Sequence, residues 1–132
     1  MRMIVPVVLL VLVGCSDDDT RWHLSEGGHV YTWKGTEPMP SDLGAIVDDG
    51  VTAWVAEHPE LDDIDMRAIA RTMRYVILPG SAFQCDYHGG VCQGAYHNGR
   101  VTLAYGMGAY MLSMVIIPHE LDHAIGVIHE WE

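Results

Sequence analysis

The residues with the most chemistry in this chain are crowded near its C-terminal end, in HELDHAIGVIHE, His119 to Glu130. A helix brings positions i and i+4 onto one face, so His119 and His123 can offer two imidazoles to a common metal ion. Glu120 lies next to that face, where a carboxylate reaches a metal-bound water without taking a ligand position. Gly126 stands where a left-handed residue would end the helix and reverse the chain, returning His129 as a third nitrogen ligand. Three neutral imidazoles suit one Zn2+ ion and leave its fourth position to water, which is the layout of a catalytic site and not of a closed structural one. Zinc lowers the pKa of such a water and polarises a carbonyl group. Glu120 would then serve as general base, taking the proton as water attacks and passing it to the departing amine.

The same stretch resembles the zinc signature of the metzincin metallopeptidases, HExxHxxGxxH, and is closest to the astacin form, in which a glutamate follows the third histidine. His119, Glu120, His123, Gly126, His129 and Glu130 all match it. The resemblance implies a small zincin-like domain that cleaves internal peptide bonds of a peptide or protein substrate. It also implies that RVTLAY, residues 100–105, is the edge strand lying along that substrate. Only Trp131 and Glu132 follow Glu130, so the methionine turn and C-terminal subdomain of that family have no counterpart in this sequence; Met107, Met111 and Met114 lie upstream. Glu130 is an alternative third ligand, which would make the site gluzincin-like. Tyr105 and Tyr110 are near enough in sequence to be candidates for oxyanion stabilisation. A competing class is a catalytically inactive lipoprotein that binds zinc or a partner, although a carboxylate at Glu120 has no purpose in a binding-only site.

Several elements must position these groups. Pro118 directly precedes His119 and is tolerated only in a first helical turn or at a kink, so the active-site helix is expected to begin near Ile117–Pro118 and to be short. Leu121 should face the core. Upstream, Ser41 reads as a helix cap, and Leu43, Ile46, Val47, Val51, Trp54 and Val55 fall at helical spacing until Pro59. Asp62, Asp63 and Asp65 precede Met66, Ile69, Ala70 and Met73, a second helix whose acidic start suits the macrodipole. They lack the alternating oxygen ligands and glycine of a calcium loop. Strands are expected at His29–Trp33, Arg74–Leu78 and Val101–Tyr105, with a turn at His97-Asn98-Gly99-Arg100. The fold class is therefore α+β: a short mixed or antiparallel sheet, two or three helices and a C-terminal active-site helix.

Length and composition agree with one such domain. The chain has 132 residues, 49% of them hydrophobic and 19% charged, and a formal net charge of −11. No Lys/Arg cluster offers a phosphate-binding stripe, which argues against nucleic acid as a partner; a monomer is the expectation. At the N-terminus, Arg2 is followed by an apolar run from Met3 to Val13, too short to span a bilayer and fitting a secretory signal. Leu12-Val13-Gly14-Cys15 resembles a bacterial lipobox. Residues 1–14 are then a lipoprotein signal peptide, 15–28 a lipidated N-terminus and tether, and 29–132 the domain. Cys15 would be the lipid anchor, holding the protein to a membrane of the bacterial cell envelope and facing periplasm or exterior. The two remaining cysteines, Cys85 and Cys92, form an even pair suited to a disulfide in an oxidising compartment. Cys85, His88, Cys92 and His97 could alternatively be metal ligands.

Overall fold

Two strands carry apolar side chains on both faces, the pattern of strands covered from two sides. In Arg74–Leu78 (β3) the run Tyr75, Val76, Ile77 is buried, and in Arg100–Ala104 (β7) so are Val101, Leu103 and Ala104. They pair in parallel at the centre of a five-stranded mixed sheet. The computed structural model describes residues 21–85 and 90–127. Within it, Val30–Trp33 (β2) pairs in parallel with β3, and His23–Leu24 (β1) runs antiparallel to β2 at one edge. Gly94–His97 (β6) runs antiparallel to β7 at the other edge. Phe83–Cys85 (β4) and Gly90–Cys92 (β5) form a separate two-stranded hairpin. The chain is thus α+β with a mixed sheet.

β7 is not the edge strand that the resemblance implied for RVTLAY. Asn98 and Gly99 both hold positive φ, 50° and 80°, the pair of left-handed residues that a tight hairpin turn needs. That turn folds β6 back onto β7 and covers its outer side. On this side of the sheet the edge strand is β6.

Leu43–Ala56 (α1) packs its apolar stripe, Leu43, Ile46, Val47, Val51 and Trp54, into the core. Its N-cap is Asp42, without a side-chain cap bond, in place of Ser41. Asp63–Arg71 (α2) follows, with Asp62 accepting from the Asp65 amide as a side-chain cap. The fold also reaches back beyond residue 29 into the stretch assigned to the tether. There β1 joins the sheet, and Ser25 is buried, its hydroxyl donating to Asp48 on α1 at 2.6 Å.

The α-helix bearing the histidines begins at Ile117 and is short, as Pro118 suggested, but helical backbone runs into it from upstream. Ala109–Met111 (α3) leads without interruption into a π turn, Leu112–Ile116, and then into Ile117–Ala124 (α4). A proline inside an α-helix removes one backbone bond and collides with the preceding turn. The wider π turn lies where that collision would fall and lets helical backbone pass through. Ile117 keeps helical angles, φ −61° and ψ −47°, despite preceding a proline, a conformation that pre-proline residues disfavour. It is held there by complete burial against α1.

Candidate metal and peptide site

α4 ends as the glycine forecast. Gly126 takes φ 86°, its N–H donates to the His123 carbonyl, and the Val127 N–H reaches back to that of Asp122. This pair of bonds is a Schellman ending, and it turns the backbone directly after His123. Leu121 is fully buried, which fixes the helix rotation and leaves His119 and His123 half-exposed on a common side.

The two imidazoles stand 5.1 Å apart, centroid to centroid, nearly perpendicular. With zinc–nitrogen bonds of about 2.0–2.1 Å, a zinc ion lies roughly 3.2 Å from each ring centroid, and a tetrahedral angle then spaces the centroids about 5.2 Å apart. The spacing of the two rings matches that geometry. His129 and Glu130, the candidates for a third ligand, lie outside the described residues, as do Cys15 and His88.

Glu120 is 7% exposed and packs against the edge strand. A Cβ placed on Gly94 would lie 3.3 Å from its Oε2 and would run into Ile116. Glycine at position 94 is therefore what lets β6 approach the helix at the level of Glu120. Between Val91–Gly94 on one side and Val115, Ile116, His119 and Glu120 on the other runs an open cleft of about 570 Å³. A slightly larger hollow, about 640 Å³, opens between the β4–β5 hairpin and the sheet around His97 and Arg100. Among the described residues no carboxylate lines it, whereas Glu120 lines the smaller cleft.

The disulfide expectation is met: Cys85 and Cys92 are bonded across the β4–β5 hairpin, Cα to Cα 5.7 Å. That pairing occupies both sulfurs and argues against their use as metal ligands. It also fixes Cys92 in the wall of the cleft. Of the tyrosines proposed as oxyanion helpers, Tyr105 donates its hydroxyl to Asp42 at 3.0 Å and stacks edge-on against Trp33. Burial and that bond raise its pKa. Tyr110 points outward, 72% exposed.

His58 and Glu57 carried no functional signal in the sequence, whereas Asp122, a candidate partner for the histidine N–H groups if it faced inward, does lie buried. Asp122, buried on α4, accepts from Trp54 Nε1 at 3.0 Å and from His58 Nε2 at 2.8 Å. His58 also meets Glu60 through Nδ1 at 3.2 Å. Burial works against the imidazolium of His58, but its bonds to Asp122 and Glu60 outweigh burial, and its pKa stands above the ordinary 6.5. Glu57 lies beside this pair, its carboxyl pKa raised by burial and then by the charge of Asp122. Glu57, His58 and Asp122 are the group of three among the described residues whose donor atoms lie within 4.8 Å of one another. His58 and Asp122 are 64 positions apart, and a lone His-Pro pair at the end of α1 gave no reason to connect them.

No protein-family model, no curated protein and no solved structure matches this chain. Among the described residues no helix is long and apolar enough to cross a membrane.

Proposed function

We propose that this chain is a zinc-dependent metallopeptidase, with His119, His123 and His129 as metal ligands and Glu120 as general base. The observation that carries the reading is the pair of imidazoles at 5.1 Å on the same helical turn as a buried carboxylate, beside an edge strand. Zinc, when bound there, supplies a Lewis acid and an activated water near neutral pH. The chain's own residues do the rest. An extended peptide adds to β6 as a further strand, since an edge presents backbone donors and acceptors at strand spacing. Its scissile bond then lies opposite Gly94, next to Glu120. Glu120 removes the proton from the attacking water and delivers it to the leaving nitrogen. Cys15 in this reading tethers the enzyme to the envelope membrane.

The test is zinc content and cleavage of an unstructured protein substrate, measured on wild type, His123→Ala and Glu120→Gln. The proposal expects zinc in wild type and Glu120→Gln, loss of zinc from the helix site in His123→Ala, and turnover in wild type alone. Removing one catalytic proton-transfer group typically costs about 10²–10⁴ in rate. Stoichiometric zinc without cleavage in any preparation would instead favour a zinc-binding surface protein.

A further inference from the structure

We infer that Glu57, His58 and Asp122 form a second divalent-metal site, separate from the His119/His123 pair, at the junction of α1 and α4. The donors converge from both helix ends: Glu57 is the C-cap of α1, His58 follows it, and Asp122 belongs to α4. Their donor atoms lie within 4.8 Å of one another, against a spacing of about 3.3 Å for ligands of one zinc ion, and Glu57, exposed at the helix end, is the member with room to close that difference. Glu60 at Nδ1 orients the ring of His58 and directs Nε2 at Asp122. A carboxylate on the far nitrogen is the usual support of a metal-bound histidine. Trp54 Nε1 fixes the Asp122 carboxylate from the other side.

A separate observation also calls for a cation here. The last turn of α1 carries no basic residue, and its cap is Glu57. A helix C-terminus is electronegative and is normally complemented by Lys, Arg or a protonated His. Here it meets Glu57, Glu60 and Asp122 against a single histidine. Glu57 and Asp122 also line a recess of about 210 Å³, open to solvent and bordered by His119 as well, which gives an ion a path in. One imidazole and two carboxylates suit Zn2+ or another divalent transition ion.

The measurement is zinc bound per full chain by equilibrium dialysis and elemental analysis, on wild type, His123→Ala, His58→Gln and Glu57→Gln, each checked for fold by circular dichroism without metal. Glu57→Gln alters an exposed side chain and keeps the test valid if His58→Gln fails to fold. The expectation is two zinc ions in wild type. One of them should weaken at least ten-fold in His58→Gln and Glu57→Gln and persist in His123→Ala. Zinc binding unchanged by Glu57→Gln in a folded protein would overturn the second site. One zinc in wild type, lost in Glu57→Gln but kept in His123→Ala, would support the second site while overturning the catalytic one.

Discussion

Two glycines on the same helix should respond to the same substitution in opposite ways. Gly44 and Gly50 both lie within α1, and alanine at either gains up to about 1 kcal/mol of intrinsic helix stability. At Gly44 the added Cβ meets Ser25 and Tyr31 at 3.4 Å, an ordinary contact, so a net gain of about 0.5–1 kcal/mol remains. At Gly50 the Cβ would lie 2.7 Å from Cβ, Cγ2 and Cδ1 of Ile117, about 1 Å inside comfortable carbon–carbon separation. Ile117 cannot swing aside, because its Cβ is branched, the residue is fully buried and Pro118 follows it. Overpacking of this kind costs about 1–3 kcal/mol, against a helix gain of at most about 1 kcal/mol, and leaves a net loss of up to about 2 kcal/mol. The helix gain is common to both positions, so the two variants should differ by about 1–3 kcal/mol, or roughly 4–12 °C in Tm at this chain length. Thermal and urea unfolding of metal-free protein measure this directly. Because Ile117 lies two residues before His119, Gly50→Ala should also weaken zinc binding at the helix site, while Gly44→Ala leaves it alone. Equal shifts of the same sign in both variants would refute the close α1–α4 approach and the positioning argument built on it.

Asp122→Ala removes the acceptor for the buried Trp54 indole and for His58; leaving a buried donor without a partner costs about 1–3 kcal/mol, whereas Asp122→Asn should lose clearly less in urea denaturation. Asp48 has its pKa lowered because the bonds it accepts from Ser25, His29 and Gly27 overcome the opposing effect of burial. With the folded pKa below the unfolded value, its contribution is present above about pH 4 and is lost as pH falls through the folded pKa. Asp48→Asn should therefore be less stable than wild type at neutral pH and show a shallower loss of stability below about pH 4. Gly94→Ala should depress peptide cleavage at least ten-fold with zinc retained, since its Cβ intrudes on Ile116 and Glu120; unchanged turnover would mean that β6 does not set the position of the general base.

The sequence by itself determined the local elements. The spacing of Leu43 to Val55 is a helix in any context that offers a core. Asn98–Gly99 encodes its turn through the two residues most tolerant of positive φ, and Gly126 stops α4 for the same reason. Even the pairing of His119 with His123 needed only helical periodicity. What the tertiary structure decided lies between elements. Pro118 is a local signal for a helix start, yet burial of Ile117 against Gly50 carries helical backbone through it, with a π turn absorbing the misfit. The glycine at position 94 has no meaning in its own segment and becomes specific only when Ile116 and Glu120 press on it. Asp122 meets Trp54 and His58 because α1 and α4 pack side by side. Periodicity reports what each residue does within its own helix or strand. Contacts across 64 positions depend on how those elements stack, and burial of the shared apolar faces settles that only once the whole chain has folded.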